Sequence, residues 1–278
     1  MRTEAITAAV VAALFGTVAA AQTATTIEDR LEITLQDGRI LTGSELTGAI
    51  LTVRDDAGLT AEIRIRDAFP DPNAPERRWL YTLERRNAGG AWVNTCAPGP
   101  QGLRAGFPVA IALTEDGRIA STDDALMFTC TSGAVAKCIR MGYAPWGATS
   151  GGQSLAPYFQ ACTRMVRADY CGDGLSATRD GMLINVYDKI GIQIADTDAR
   201  LTPEAAWGPD GAVCVRRTRI PALSTLTTLA ARCPGLVGRL GPEVCAPEAM
   251  QAMDNALIWN DSIPAMTEPK AASGAGDN

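Results

Sequence analysis

FTCTSGAVAKCIRMGYAPW (residues 128–146) and PYFQACTRMVRADYCGDGLSATRDGMLINVYD (residues 157–188) carry four of the chain's eight cysteines and its two clearest helix patterns. In the first piece Ser132 is placed to cap a helix whose apolar side is Ala134, Val135, Cys138 and Met141. Lys137 and Arg140 fall on the other side, and Gly142 suits a left-handed stop. Tyr143 to Trp146 follows as an extended segment, with Gly147 to Gly152 as a joint. In the second piece Pro157 suits a first helical turn, and Tyr158, Cys162, Met165 and Val166 form one stripe at i, i+4, i+7 and i+8. Gln160, Thr163, Arg164 and Arg167 share the opposite face. Each helix turns a cysteine inward, the pattern of short helices pinned to a core by disulfides.

The N-terminus decides how those cysteines are read. Met1 to Ala21, MRTEAITAAVVAALFGTVAAA, has a charged start at Arg2, an apolar run and a small-residue A-x-A site before Gln22. This pattern predicts a secretory signal of bacterial style and a mature chain in the periplasm or outside the cell. No later segment is long and apolar enough to span a membrane. In an oxidising compartment, the even set Cys96, Cys130, Cys138, Cys162, Cys171, Cys214, Cys233 and Cys245 predicts four disulfides. No C-x-x-C spacing favours zinc, and no histidine is present to activate a thiol. Cys233 and Cys245 enclose the Gly/Pro-rich loop PGLVGRLGPEV and are the expected pair; the other connectivities stay open.

Outward from the quoted stretch, strand patterns dominate. Leu31, Ile33 and Leu35 alternate with Glu32 and Thr34 before the turn Asp37-Gly38. Leu59, Ala61, Ile63 and Ile65 alternate with Thr60, Glu62, Arg64 and Arg66, and Trp79 to Leu83 resumes after a proline loop. Five or six short antiparallel strands in succession predict a β-meander, sandwich or small barrel. Downstream, Met182 to Val186 and Ile190 to Ile194 read as strands. Glu204 to Trp207 and Ala212 to Arg217 read as a hairpin across Gly208-Pro209-Asp210-Gly211. Pro221 to Ala231 and Pro247 to Asn255 read as short helices, and Ala256 to Asn260 as extended. The expected fold class is α+β, mainly antiparallel strands, with two or three short helices in a disulfide-stapled C-terminal part.

Composition excludes several chemistries. The 278 residues carry a net charge of -6, whereas nucleic-acid binding needs a concentrated basic surface. The absence of histidine removes Ser-His-Asp and Cys-His catalysis. A Ser-Lys dyad fails on spacing, since Ser132 and Lys137 are not placed as S-x-x-K. Asp169, Asp173, Gly174 and Asp180 fall at positions of a calcium loop, but Cys171 occupies a ligand position and the terminal glutamate is missing. No metal and no cofactor is expected.

The combination FTCxxGAVAKCxxxGYxPW, then ACTRMVRADYCGDG, with EAAWGPDGAVC downstream, resembles the ADYC-domain family of exported bacterial proteins. The tetrad that names it is matched by Ala168, Asp169, Tyr170 and Cys171. The resemblance runs from about Cys96 to Cys245 and brings no activity with it. The expected organisation is a signal peptide (1–21), a β-rich region (22–95), an ADYC-type disulfide-rich domain (96–263) and a disordered tail (264–278).

The leading functional expectation is an exported, disulfide-stabilised binding or structural module. The alternative is a carboxylate-dependent hydrolase on an envelope or extracellular glycan, using Asp169, Asp173 and Glu204 with Trp146 and Trp207 as sugar platforms. Lys137, Arg140, Trp146, Arg164, Arg167, Asp169 and Asp173 are the candidate binding residues. An anionic ligand or an envelope component is the candidate partner.

Overall fold

Alternation in the first strands places Leu31 and Ile33 on one face, and that face becomes core. In the computed structural model, which describes residues 6–7, 23–55, 60–99, 102–121 and 126–263, both are buried. The described residues form two compact units, one up to Ala156 and one from Pro157.

In the first unit β2 (Thr23–Ile27), β3 (Arg30–Thr34) and β4 (Ile40–Thr42) form an antiparallel sheet. A second antiparallel sheet joins β1 (Ile6–Thr7), β5 (Ile50–Asp55), β6 (Thr60–Pro70), β7 (Trp79–Arg86), β9 (Gly106–Val109) and β12 (Met127–Cys130) in that order. The three-residue β8 (Trp92–Asn94) pairs beside β7, and β10 (Ala112–Leu113) and β11 (Ile119–Ser121) make a separate ribbon. The larger sheet is open, so among the described residues the barrel option is not the one adopted. Apart from Ile6 and Thr7, whose backbone pairs with Arg54 and Asp55, the expected signal peptide lies outside the described residues. The tail from residue 264 lies outside them too.

A register shift between Ile65 and Asp67 sets which side chains of β6 face the core. Strict alternation would send Ala68 to the face opposite Ile65. The extra residue restores it, so Ile65 and Ala68 both pack with Leu31, Leu51, Tyr81 and Leu83. Before β5, a turn at Gly43–Leu46 closes on a capping box in which Thr42 and Glu45 exchange hydrogen bonds. Gly43 holds φ +52 there, and a Cβ would lie 2.6 Å from the Trp79 ring.

Helix α1 (Ala134–Arg140) follows β12. Its cap is Gly133 and not Ser132, with no side-chain cap bond; the Gly133 N–H is taken by the Cys130 carbonyl. Gly142 stops the helix at φ +107, as its position predicts. Arg140 projects onto the loop before β7, where it donates to both carboxylate oxygens of Asp71 at 3.1 and 3.0 Å. Asp71 also receives Arg78 at 3.2 Å, and Arg78 donates to Asp29 at 2.6 Å while its guanidinium lies over Phe107.

The second unit opens at the second residue of α2 (Ala156–Arg167) and continues into a sheet of order β13 (Ile184–Asp188), β16 (Ile258–Ser262), β14 (Thr202–Gly208), β15 (Gly211–Val215). β14 and β15 form the expected hairpin. Ile190 to Ile194 is not a strand: its backbone N–H groups at Ile190, Ile192 and Gln193 wrap the Asp188 carboxylate. Helix α3 (Leu226–Arg232) starts at a Thr225 cap, later than Pro221, and α4 (Pro247–Gln251) packs Met250 with Ala206, Val213, Cys214, Cys245 and Trp259.

α2 departs from the amphipathic expectation. Tyr158 through Val166 are all buried, including Gln160, Thr163 and Arg164 from the face expected to be wet; Arg167 alone of that face is exposed. A buried guanidinium in this position needs an internal partner. Asp169 supplies it.

No cysteine is free. The bridges include Cys96–Cys130, Cys171–Cys233 and Cys214–Cys245, and Cys138 and Cys162 are disulfide-bonded as well. The expected Cys233–Cys245 pair is therefore corrected. The loop between them first forms a turn at Pro234–Leu236, then lies against β15, where Val215 and Leu240 make a parallel bridge. That crossing carries Cys245 to Cys214 and leaves Cys233, at the end of α3, facing Cys171.

Candidate functional site

The turn that ends α2 holds the tetrad Ala168–Cys171, and each of its four residues has a distinct physical task. Ala168 is fully buried and adopts φ +50, one of two non-glycine residues with positive φ among the described residues. This left-handed step ends the helix, with the Asp169 N–H bonded to the Arg164 carbonyl at 2.9 Å.

Asp169 then turns its carboxylate back on the helix. Arg164 Nη1 donates to it at 2.6 Å, and the N–H groups of Asp173 and Gly174 donate at 3.2 and 3.0 Å. Burial pushes this carboxyl above its ordinary range, against the pull of the Arg164 guanidinium. The carboxylate therefore organises the 169–174 turn from inside.

Tyr170 stacks on Trp207 with ring centroids 5.3 Å apart, and its hydroxyl donates to Glu204 at 3.1 Å. Burial, then the Glu204 charge, raise the phenol well above its ordinary range, so it stays protonated and donates. Glu204 is fully buried on β14. Its two oxygens receive Arg219 Nε and Nη2 at 3.0 Å each, Tyr170 and the Ser262 hydroxyl. Arg219 also donates to the Val166 and Met165 carbonyls at 3.1 and 2.8 Å. Those carbonyls lie in the last turn of α2, where helical partners run out, so Arg219 caps the helix. Arg217, beside it, ties Thr202 to Ser262.

Cys171 bridges to Cys233 and completes the tetrad. The turn also needs glycine: a Cβ on Gly172, at φ +71, would lie 1.8 Å from the Asp210 carbonyl oxygen. With Ala212 N–H donating to the Tyr170 carbonyl at 2.9 Å, the tetrad turn and the β14–β15 turn meet backbone to backbone.

Beside this contact opens a cleft of about 510 Å³, lined among others by Cys171, Asp173, Asp210, Arg232, Cys233 and Arg239. Arg232 Nε lies 3.5 Å from Asp173 and 3.0 Å from Cys171 Sγ. Asp173 itself is partly exposed and caps the Leu175 N–H at 3.1 Å.

Arg164, Arg167, Asp169 and Asp173 thus gather at one turn. Arg164 is enclosed with Asp169, while Arg167 is exposed and donates to the Gly174 carbonyl. Lys137, Arg140 and Trp146 belong to the first unit: Lys137 and Trp146 are half-buried, and Arg140 is engaged by Asp71. Trp207 is fully buried and its indole N–H donates to Asn260 at 2.7 Å, so its faces are closed to a sugar. Arg219 was not singled out from the sequence. It lies in the run RRTRIP with nothing local to distinguish it from Arg216 or Arg217. Among the described residues no helix is long and apolar enough to cross a membrane, and no three His, Cys, Asp or Glu residues converge as a metal site.

The family model of the ADYC domain matches residues 43–221 of the chain. No curated protein and no solved structure matches it.

Proposed function

The chain belongs to the ADYC-domain family, and on that premise we propose that it is an exported, disulfide-stabilised binding or structural module. The observation that carries this reading is the internal employment of the tetrad. Ala168 shapes the helix end, Asp169 neutralises a buried arginine, Tyr170 seats Glu204 and Arg219, and Cys171 closes a bridge. Eight oxidised cysteines fit an oxidising compartment, in keeping with the signal-like residues 1–21 and a periplasmic or extracellular address in a bacterium.

The hydrolase alternative needs two acids about 5–10 Å apart across an open cleft. Asp169 and Glu204 are instead closed off from solvent against Arg164 and Arg219, which leaves Asp173 as the exposed member of the three. Expression with residues 1–21 intact, fractionation and thiol alkylation under denaturing, non-reducing conditions test the proposal. A processed, extracytoplasmic chain that takes no label and releases no reducing ends from envelope glycans is expected. Glycan cleavage abolished by Asp173→Asn, or a reduced cytoplasmic chain, would overturn it.

A further inference from the structure

We propose that the Cys171–Cys233 bridge is a thiol-exchange site, open through the cleft to a partner dithiol of the thiol–disulfide oxidoreductase class. The inference compares the bridges of one chain. Cys214 and Cys245 are fully buried within an apolar cluster, and Cys138 and Cys162 are fully buried too. At Cys96–Cys130, Cys96 is buried and Cys130 half-buried, and the nearby Arg104 donates to the Cys96 carbonyl oxygen at 3.2 Å. Cys171 is half-buried and Cys233 buried, both line the cleft, and the Arg232 guanidinium lies on the Cys171 sulfur at 3.0 Å, which leaves the Cys233 side of the bridge to be approached from the cleft.

That geometry favours one direction of attack. A partner thiolate adds to Cys233 Sγ, the Cys171–Cys233 bond breaks, and Cys171 leaves as a thiolate beside Arg232. A better-stabilised leaving thiolate departs faster, and a guanidinium stabilises it electrostatically. The second thiol of the partner, as its thiolate, then attacks the partner sulfur of the mixed disulfide and displaces Cys233, which takes up a proton. Two electrons pass from the partner dithiol, which becomes a disulfide, to the bridge, which becomes the Cys171 thiolate and the Cys233 thiol. Asp173 shares the Arg232 charge at 3.5 Å and holds the guanidinium in place, while Arg239 and Asp210 also line the cleft.

The test uses the full native chain and dithiothreitol as the dithiol. Samples equilibrated across a concentration series are quenched in acid, alkylated, and mapped peptide by peptide. Cys171 and Cys233 should take label first, at about tenfold lower dithiothreitol than any other pair. Once reduced, Cys171 should alkylate faster than Cys233 at neutral pH. Arg232→Gln should shrink both leads and Arg232→Lys should retain them, while Arg200→Gln, at the pair with Asp198 outside the cleft, leaves them unchanged. Another pair opening first, all eight cysteines opening together, or an Arg232→Gln chain with undiminished leads would overturn the proposal. These readouts are independent of whether the chain binds a ligand.

Discussion

The Tyr170 hydroxyl accepts the Arg219 backbone N–H at 2.7 Å and donates its own proton to Glu204 at 3.1 Å. One oxygen atom therefore joins the turn after α2, strand β14 and the segment after β15. Arg219 closes the circuit twice, through its side chain to Glu204 and to the last carbonyls of α2. All of these groups are buried, so each depends on the others for its hydrogen bonds.

Tyr170→Phe keeps the ring on Trp207 and removes only that oxygen. The Arg219 N–H loses its acceptor and Glu204 loses a donor, both in the dry interior. Denaturant unfolding followed by Trp fluorescence should show a loss of about 1–3 kcal/mol. An unchanged midpoint would mean that the hydroxyl is not part of the circuit.

Glu204→Gln leaves the Arg219 guanidinium buried without its counter-charge, at a cost of about 3–5 kcal/mol. Asp198→Asn, at an exposed pair with Arg200, should leave the melting temperature unmoved. Comparable losses in the two variants would contradict the burial of the Glu204–Arg219 pair.

Gly172→Ala places a methyl group 1.8 Å from the Asp210 carbonyl, backbone against backbone, and should abolish soluble folded protein. Gly191→Ala, at φ +75 with nothing within 4 Å, carries only the left-handed strain and should cost about 1 kcal/mol. The ratio of soluble yields is the measurement.

Acid should weaken the first unit through Asp71. Burial alone would raise this carboxyl, but hydrogen bonds from Arg140, the Asn73 N–H and Arg78 prevail and hold it below its ordinary 3.8. Above pH 3.8 both folded and unfolded forms are ionised, and the contribution is fully present. As pH falls further, the unfolded chain takes the proton first and the contribution drains away. Asp71→Asn should therefore be less stable than the parent at pH 7, with the gap narrowing as the pH falls below 3.8. A gap that widens on acidification would reverse the sign assigned to Asp71.

Non-reducing proteolysis should release peptides joined through Cys214–Cys245 and through Cys171–Cys233. Removing Cys214–Cys245, whose ends are 31 residues apart, should cost about 2–5 kcal/mol. A Cys233–Cys245 peptide would contradict the observed pairing.

Much of this architecture could be read from local pattern. Alternation at Leu31 and Ile33, the β14–β15 hairpin with its Gly208–Gly211 turn, and the stop at Gly142 are decided by neighbours within a few residues. The inward cysteine and methionine stripe of α2 was equally legible. Its polar side was not, because an arginine looks the same in sequence whether water or Asp169 receives it. The expected cap at Ser132 failed for a related reason: the β12 carbonyl of Cys130 took the Gly133 N–H and moved the helix start by one residue.

The turn from Ala168 to Gly174 shows where the division falls. Sequence alone determined that these residues form a turn behind a helix, that their cysteine is oxidised, and that they carry the signature of the family. Only the tertiary structure decided that Tyr170 and Glu204 serve the interior, since their partners Arg219 and Ser262 become neighbours only when the strands close. The same holds for cysteine pairing. Proximity along the chain favoured Cys233 with Cys245, but a strand crossing at Val215 and Leu240 carried them apart, and a disulfide forms only between sulfurs that the fold brings together.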